Sequence, residues 1–276
     1  MKEFGIVFGL FLLINNFVVA SFLVPTGSME NEVLTGERLF VNKFIYGGTS
    51  PRNIPFTNIR LPWFRLPVIQ DVKRGDVIVF VFPGMRDEVQ PEDFTFYLKR
   101  CIGLPGDTIQ IRNRVVSVNR QMLPLPRNVK FDRGWSTPSH EPDEHIFSLG
   151  SGWNEDNFGP LVIPQHGMTI PLNMQNISAW QIFIKREGHT VESIDGTILV
   201  DGKPVTSYTV QRDYLFGMGD HRDNSLDGRY WGFIPKENLV GAPIIVYWSW
   251  DCNLPLYDII GRLASVRWGR IGSLIK

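Results

Sequence analysis

The sequence is poor in the residues that most often hold metals or form disulfide frameworks. Its 276 residues include only two cysteines, Cys101 and Cys252, without a C-x-x-C spacing, and five histidines without an H-E-x-x-H motif. Neither a disulfide scaffold nor a metal site is therefore indicated, although a single Cys101–Cys252 bridge stays open. We expect no cofactor and no bound metal.

The sequence also lacks an excess of charge of either sign. Lys plus Arg and Asp plus Glu both number 28, so the formal net charge at pH 7 is zero. Proteins that bind DNA or RNA usually present a basic surface to the phosphates. We therefore expect no nucleic-acid partner.

Proline and glycine, in contrast, are plentiful and evenly spread. The 19 prolines and 26 glycines punctuate many short apolar runs, a pattern typical of strands joined by turns. We predict a mostly β protein, with an antiparallel β-sheet domain formed by residues 25–118 and 213–276. Residues 119–212 have longer polar loops between short strands, and we predict that they form an inserted β-rich subdomain.

An uncharged and mostly apolar run of 21 residues lies near the N-terminus, from Phe4 to Val24. About 20 apolar residues are enough to cross a bilayer, so residues 1–24 are predicted to form a transmembrane helix. Lys2 weakly favours a cytoplasmic N-terminus and a body on the outer side. A cleavable secretory signal with its cut after Ala20 fits the same stretch equally well.

A serine follows this apolar stretch directly, in Pro25-Thr26-Gly27-Ser28. Pro25 fixes its own φ angle and Gly27 allows conformations that other residues resist, so Ser28 is presented on a tight bend. That geometry suits a nucleophile. Taken alone, however, these four residues are also the usual composition of an ordinary turn.

A lysine lies in the middle of the predicted strand from Phe94 to Leu104. With a period of two, Tyr97, Lys99 and Cys101 share one face of that strand. Most strand lysines face solvent at a sheet edge, but the apolar neighbours of Lys99 favour burial. Burial can lower a lysine pKa from about 10.4 to roughly 7 or 8, and a neutral amine can serve as the base for a serine hydroxyl.

The stretch from Gly219 to Arg229 alternates acidic and basic residues. Asp220, Asp227 and Arg229 can cross-link such a loop by ion pairs, and a rigid loop can hold one polar side chain in place. A solvated charged turn is the alternative interpretation.

Taken together, the stretches Pro25–Glu30, Tyr97–Asp107 and Gly219–Arg229 resemble the serine, lysine and third boxes of bacterial type I signal peptidases. These are membrane-anchored serine proteases that remove signal peptides from exported proteins. The departures are Asn31, His221 and Gly228, where the family usually has proline, asparagine and serine. None of them removes a catalytic atom.

The resemblance implies a role for each matching residue. Ser28 would be the nucleophile, Lys99 the general base, Ser225 the residue that orients the lysine and Thr26 a side-chain donor to the oxyanion. Asp220, Asp227 and Arg229 would support the third box. The expected walls of the substrate site are Val24, Met29, Val33, Tyr97 and Leu98.

The resemblance also implies the setting. The expected partners are signal peptides of secretory preproteins and the lipid bilayer. The expected location is the bacterial inner membrane, with a single uncleaved span and the catalytic domain on the extracytoplasmic side. Two other functions are weighed: a non-catalytic membrane-anchored β scaffold, and a Ser-Lys autoprotease of the repressor-processing type. The scaffold is disfavoured because Ser28, Lys99 and Ser225 are present together, and the autoprotease because an N-terminal helix-turn-helix is lacking.

Overall fold

The computed structural model describes residues 17–49, 64–255 and 257–276, together with Val7, Ile14 and Asn15. Within these ranges the chain is mostly β, which confirms the predicted fold class, and every pairing between strands is antiparallel. The strands are β1 (Val19–Leu23), β2 (Glu37–Asn42), β3 (Val77–Val81), β4 (Phe96–Gly103), β5 (Thr108–Arg112), β6 (Val115–Val118), β7 (Gln121–Met122), β8 (Phe158–Val162), β9 (Thr169–Pro171), β10 (Val191–Ile194), β11 (Thr197–Val200), β12 (Lys203–Pro204), β13 (Ser207–Thr209), β14 (Tyr214–Met218), β15 (Ile234–Pro235) and β16 (Leu239–Ser249). The helices are α1 (Ile177–Arg186), α2 (Gly228–Trp231) and α3 (Ile259–Ala264).

The predicted transmembrane helix is wrong at its C-terminal end. Most of residues 1–24 lie outside the described part of the chain, and no helix among the described residues is long and apolar enough to cross a bilayer. The last part of the predicted span is instead strand β1, in which Ala20 pairs with Val41 of β2. A short apolar run rich in valine and phenylalanine fits a strand as well as a helix, so periodicity could not find this boundary.

The main sheet has seven strands in the order β1-β2-β16-β3-β4-β14-β15. The sheet is curled, because the rings of Phe22 in β1 and Phe96 in β4 approach to 5.0 Å although three strands separate them in the sheet. This curling brings the end of β1 opposite the start of β4. Strand β1, which precedes Ser28, and strand β4, which carries Lys99, therefore face each other.

The remaining strands form smaller sheets. The largest has the order β7-β6-β5-β8, so β5 and β6 pair with strands of the predicted insertion and not with the main sheet. One buried apolar cluster includes Ile109 of β5, Phe158 of β8 and Phe216 of β14. The predicted domain boundary at residue 118 stays a prediction. In the strand pairing, the chain leaves the main sheet earlier, between β4 and β5.

The segment that carries Ser28 connects β1 to β2 and is closed at its base by backbone hydrogen bonds. The N–H of Val24 donates to the carbonyl of Glu37, and the N–H of Gly36 donates to the carbonyl of Val24, both at 2.9 Å. Gly36 has a φ of +87°, and a Cβ placed on it would lie 2.1 Å from the carbonyl oxygen of Trp250. Only glycine fits this position without moving the backbone that directly follows β16.

We expect Gly36→Ala to lower the free energy of unfolding by about 3 kcal/mol, because a positive φ and a backbone clash add together. Gly75→Ala is the matched control, since Gly75 has a φ of +93° and its added Cβ would meet nothing within 4 Å. The control should lose about 1–2 kcal/mol, from the backbone alone. Urea denaturation followed by tryptophan fluorescence measures both, and equal losses would show that the close approach to Trp250 is not a constraint.

Candidate active site

The structure brings together the serine and the lysine that were predicted from separate stretches. The Nζ of Lys99 donates a hydrogen bond to the Oγ of Ser28 at 2.6 Å. Lys99 is 3% exposed and lies on the same face of β4 as Tyr97, whose ring centroid is 5.4 Å from Nζ. The bend after β1 and the alternation of β4 therefore direct the two side chains toward each other.

Burial controls the charge of this amine. Desolvation lowers the pKa of Lys99 to about 8, against the attraction of Asp227 and Asp220, while Arg229 lowers it further. A substantial fraction of the amine is therefore neutral in mildly alkaline solution. A neutral amine 2.6 Å from a hydroxyl can accept its proton.

The charged loop packs against the backbone of Ser28. Burial acts to raise the pKa of Asp227, but the charge of Arg229 and hydrogen bonds hold it below the usual value. Asp227 accepts from the Nε of Arg229 and from the backbone N–H of Gly219, both at 2.9 Å. A Cβ on Gly219 would lie 2.5 Å from the carbonyl oxygen of Ser28, so the loop fits here only with glycine.

A second ion pair connects the loop to the lysine strand. Arg100, the neighbour of Lys99, donates two hydrogen bonds to the carboxylate of Asp220, at 2.8 and 2.5 Å. Both partners are almost completely buried. Asp227 and Arg229 thus cross-link the loop internally, and Asp220 attaches the loop to β4.

Sequence reasoning noted His221 only as a departure from a family pattern. The structure places it, 2% exposed, against the serine segment: its backbone N–H donates to the carbonyl of Ser28 at 3.1 Å. Its Nε2 lies 2.6 Å from Asp132, which belongs to the predicted insertion. No local sequence signal relates Asp132 to His221, because the two residues meet only through tertiary contact.

Ser225 does not show the contact that its predicted role requires. The residue is 8% exposed, and its Oγ has no hydrogen-bond partner within the part of the chain that the structure describes. It is nevertheless close to the site, since a Cβ on Gly219 would lie 2.1 Å from this oxygen. The orienting role of Ser225 stays a prediction.

A cavity of about 900 Å³ borders Ser28 and Lys99. Thr26 is exposed at its wall, and four of the predicted wall residues line it: Val24, Met29, Tyr97 and Leu98. Val33, the fifth predicted wall residue, does not line the cavity. It is 0% exposed in an apolar cluster beneath the wall, because its N–H closes a turn onto the carbonyl of Met29 and its side chain points inward.

Sequence reasoning missed several other lining residues, most of them apolar. Most of them come from β1, from residues at or just before the start of β4, and from the charged loop, and a few come from β2, β3 and the residues beside them. Those not predicted are Asn15, Ala20, Ser21, Phe22, Leu23, Pro25, Gly27, Leu39, Lys43, Val79, Phe94, Thr95, Phe96, Asn224 and Leu226. Among the described residues, no cluster of histidine, cysteine and acidic side chains is arranged to hold a metal ion.

Comparison with known proteins identifies the family of this chain. The family model described as signal peptidase, peptidase S26, matches residues 1–248. The chain belongs to this family. The predicted family is therefore confirmed, and so is the prediction that the chain is an enzyme, a serine endopeptidase.

Individual relatives carry the same description. Signal peptidase I of Buchnera aphidicola subsp. Schizaphis graminum is 29% identical over 88% of this chain and 72% of its own length. Signal peptidase I of Pseudomonas aeruginosa is 28% identical over 94% of this chain and 77% of its own length. The solved structure of a signal peptidase I from Enterococcus faecalis V583 has a TM-score of 0.32 and 18% identity, covering 63% of this chain and 97% of that one.

Because the hydroxyl of Ser225 has no hydrogen-bond partner among the described residues, its removal can distinguish a role in the reaction from a role in stability. A buried hydroxyl without a partner costs about 1–3 kcal/mol, so Ser225→Ala should leave the unfolding free energy unchanged or raise it. If Ser225 orients Lys99 during the reaction, the same variant should lower kcat more than it raises KM. Both quantities can be measured on one preparation.

Ser249→Ala is the matched control. Ser249 is 0% exposed, and its Oγ donates to Glu37 at 3.2 Å, so its removal should cost stability and leave kcat near that of the parent. A Ser225→Ala variant with parental kcat would contradict the orienting role. One that loses stability as Ser249→Ala does would show that the hydroxyl has a partner in the folded protein.

Proposed function

We propose that this protein is a membrane-bound endopeptidase that removes N-terminal signal peptides from exported preproteins, cutting after small residues. The observation that carries the proposal is the buried Lys99 amine at 2.6 Å from the Ser28 hydroxyl, beside a large and mostly apolar cavity. The family and the names of the relatives support the choice of substrate.

In the first half of the reaction, neutral Lys99 takes the proton of Ser28 as Oγ bonds to the scissile carbonyl carbon. The negative charge that develops on the carbonyl oxygen is stabilised by the hydroxyl of Thr26 and a backbone N–H. The C–N bond then breaks, and the proton on Lys99 passes to the leaving amine. The product is an ester between the signal peptide and Ser28.

In the second half, Lys99 is neutral again and takes a proton from water, whose oxygen attacks the ester carbonyl. The C–O bond to Ser28 breaks and Oγ recovers the proton. The base therefore ends each half-reaction in the form in which it began, and no external acid, metal or cofactor is needed to balance protons or electrons.

The peptide lies extended in the cavity between β1 and the start of β4. Exposed strand edges bind extended peptides through backbone hydrogen bonds, while alternate side chains enter pockets. Met29 is 1% exposed and Val24 is 6% exposed. These two side chains therefore occupy the space behind the cavity wall beside Ser28. Such a shallow apolar wall accommodates small side chains at the cleaved bond.

The proposed setting is the bacterial inner membrane, with a single span that precedes β1 and the β domain on the extracytoplasmic side. The lipid bilayer is then the second partner. The span is proposed within residues 1–18, near the lower end of the roughly 17–25 residues that a helix needs to cross a bilayer, and β1 continues directly into the segment that carries Ser28. A short connection of this kind keeps the catalytic serine close to the bilayer in which signal peptides lie.

Incubation of the detergent-solubilised protein with a secretory precursor tests the proposal. We expect one cut after a small residue, and none with Ser28→Ala, because that variant lacks only the attacking oxygen. Thr26→Val should lower kcat by about 10²–10³ while Thr26→Ser retains activity, since one oxyanion donor is at stake.

Ser207→Ala, which removes an exposed hydroxyl in β13, is the matched control and should cut as the parent does. An intact precursor after incubation with the parent, or comparable cleavage by Ser28→Ala, would refute the proposal.

A further inference from the structure

The cavity beside Ser28 contains a positive charge that the catalytic scheme does not use. Among the described residues that line it, two carry a charged side chain, and both are lysines. The amine of Lys99 is accounted for by its bond to Ser28. The amine of Lys43 forms no hydrogen bond and no ion pair with any residue in the described ranges.

Lys43 lies far along the cavity from the catalytic pair. Its backbone N–H donates to the carbonyl of Val18 at 2.8 Å, just before β1 begins. From there the chain runs through β1 to Val24 and on to Ser28, and an extended chain rises about 3.3 Å per residue. Val18 and Val24 are therefore separated by roughly 20 Å.

The side chain of Lys43 continues the inner face of β2. Side chains on a strand alternate, so Leu39, Val41 and Lys43 share one face. Leu39 lines the cavity and Val41 is buried, and burial lowers the pKa of Lys43. A partly desolvated ammonium without a partner is unfavourable, and oxygen atoms of a ligand in the cavity would offset that cost.

We propose that Lys43 is a specificity-determining residue that contacts the substrate roughly six residues before the scissile bond. It favours an acidic or amide side chain there and disfavours a basic one. This inference rests on the proposed function and names the part of the substrate that the far end of the cavity selects.

We place residues on the N-terminal side of the scissile bond next to Lys43 because of the position of the membrane. The apolar part of a signal peptide lies in the bilayer, and the apolar stretch of this chain enters β1 at the end where Lys43 lies. The residues between the signal peptide's apolar part and its cleavage site therefore extend from Lys43 to Ser28.

The test uses peptides that share one small-x-small cleavage site and carry Glu, Gln or Lys at five, six or seven residues before the bond. We expect the parent to prefer the Glu peptide over the Lys peptide by about fivefold in kcat/KM at one or more of these positions, as for a partly exposed ion pair. Lys43→Met should bring this ratio near one, and Lys43→Glu should invert it. The preference should fall in high salt.

Two controls isolate the effect. Lys203→Met removes an exposed lysine from β12 and should keep the parental ratio. The same charges placed after the scissile bond should give ratios that do not depend on residue 43.

Three results would overturn the inference, and they differ from one another. An equal Glu-to-Lys ratio in the parent and all Lys43 variants would show that residue 43 does not contact the substrate. An effect of Lys43→Glu that follows the anionic lipid content of added vesicles, whatever the peptide, would assign the amine to lipid headgroups. A parent enzyme that cuts no peptide would refute the proposed function itself.

Discussion

The site depends on holding a lysine amine out of water without giving it a fixed counter-ion. Lowering the pKa of Lys99 from 10.5 to about 8 corresponds to roughly 3 kcal/mol of preference for the neutral form. Desolvation supplies this preference, and it has to exceed the attraction of two nearby carboxylates. Each carboxylate therefore favours the protonated form of Lys99, although it also stabilises the loop around the site.

The two arginines resolve this conflict. Arg229 pairs with Asp227, and Arg100 pairs with Asp220 through two hydrogen bonds, so each carboxylate is bound to a guanidinium that stays protonated. The acids can then anchor the loop behind Ser28 while the proton on Lys99 remains exchangeable. A loop tied down by unpaired carboxylates would stabilise the ammonium form and remove the base. One of these pairs, Asp227 with Arg229, lies within the charged loop, and the other joins the loop to β4.

Sequence reasoning found the elements of the site whose signals are local. Ser28 follows a Pro-Thr-Gly turn and Lys99 interrupts an apolar strand, and both patterns can be read from neighbouring residues. It failed where tertiary packing decides. The apolar residues of β1 were assigned to a helix, Val33 points into the core instead of the cavity, and Lys43 reaches the cavity only because the sheet curls.

The central claim is that Lys99 acts as a base in its neutral form, and the pH dependence of kcat/KM tests it most directly. Between about pH 5 and 10, activity should rise along an acid limb near pH 8, because protons must leave Lys99 before it can accept one from Ser28. Lys99→Arg should be inactive throughout, since a guanidinium does not deprotonate in proteins. A limb near 6.5, typical of a histidine base, or measurable turnover by the arginine variant would contradict the account.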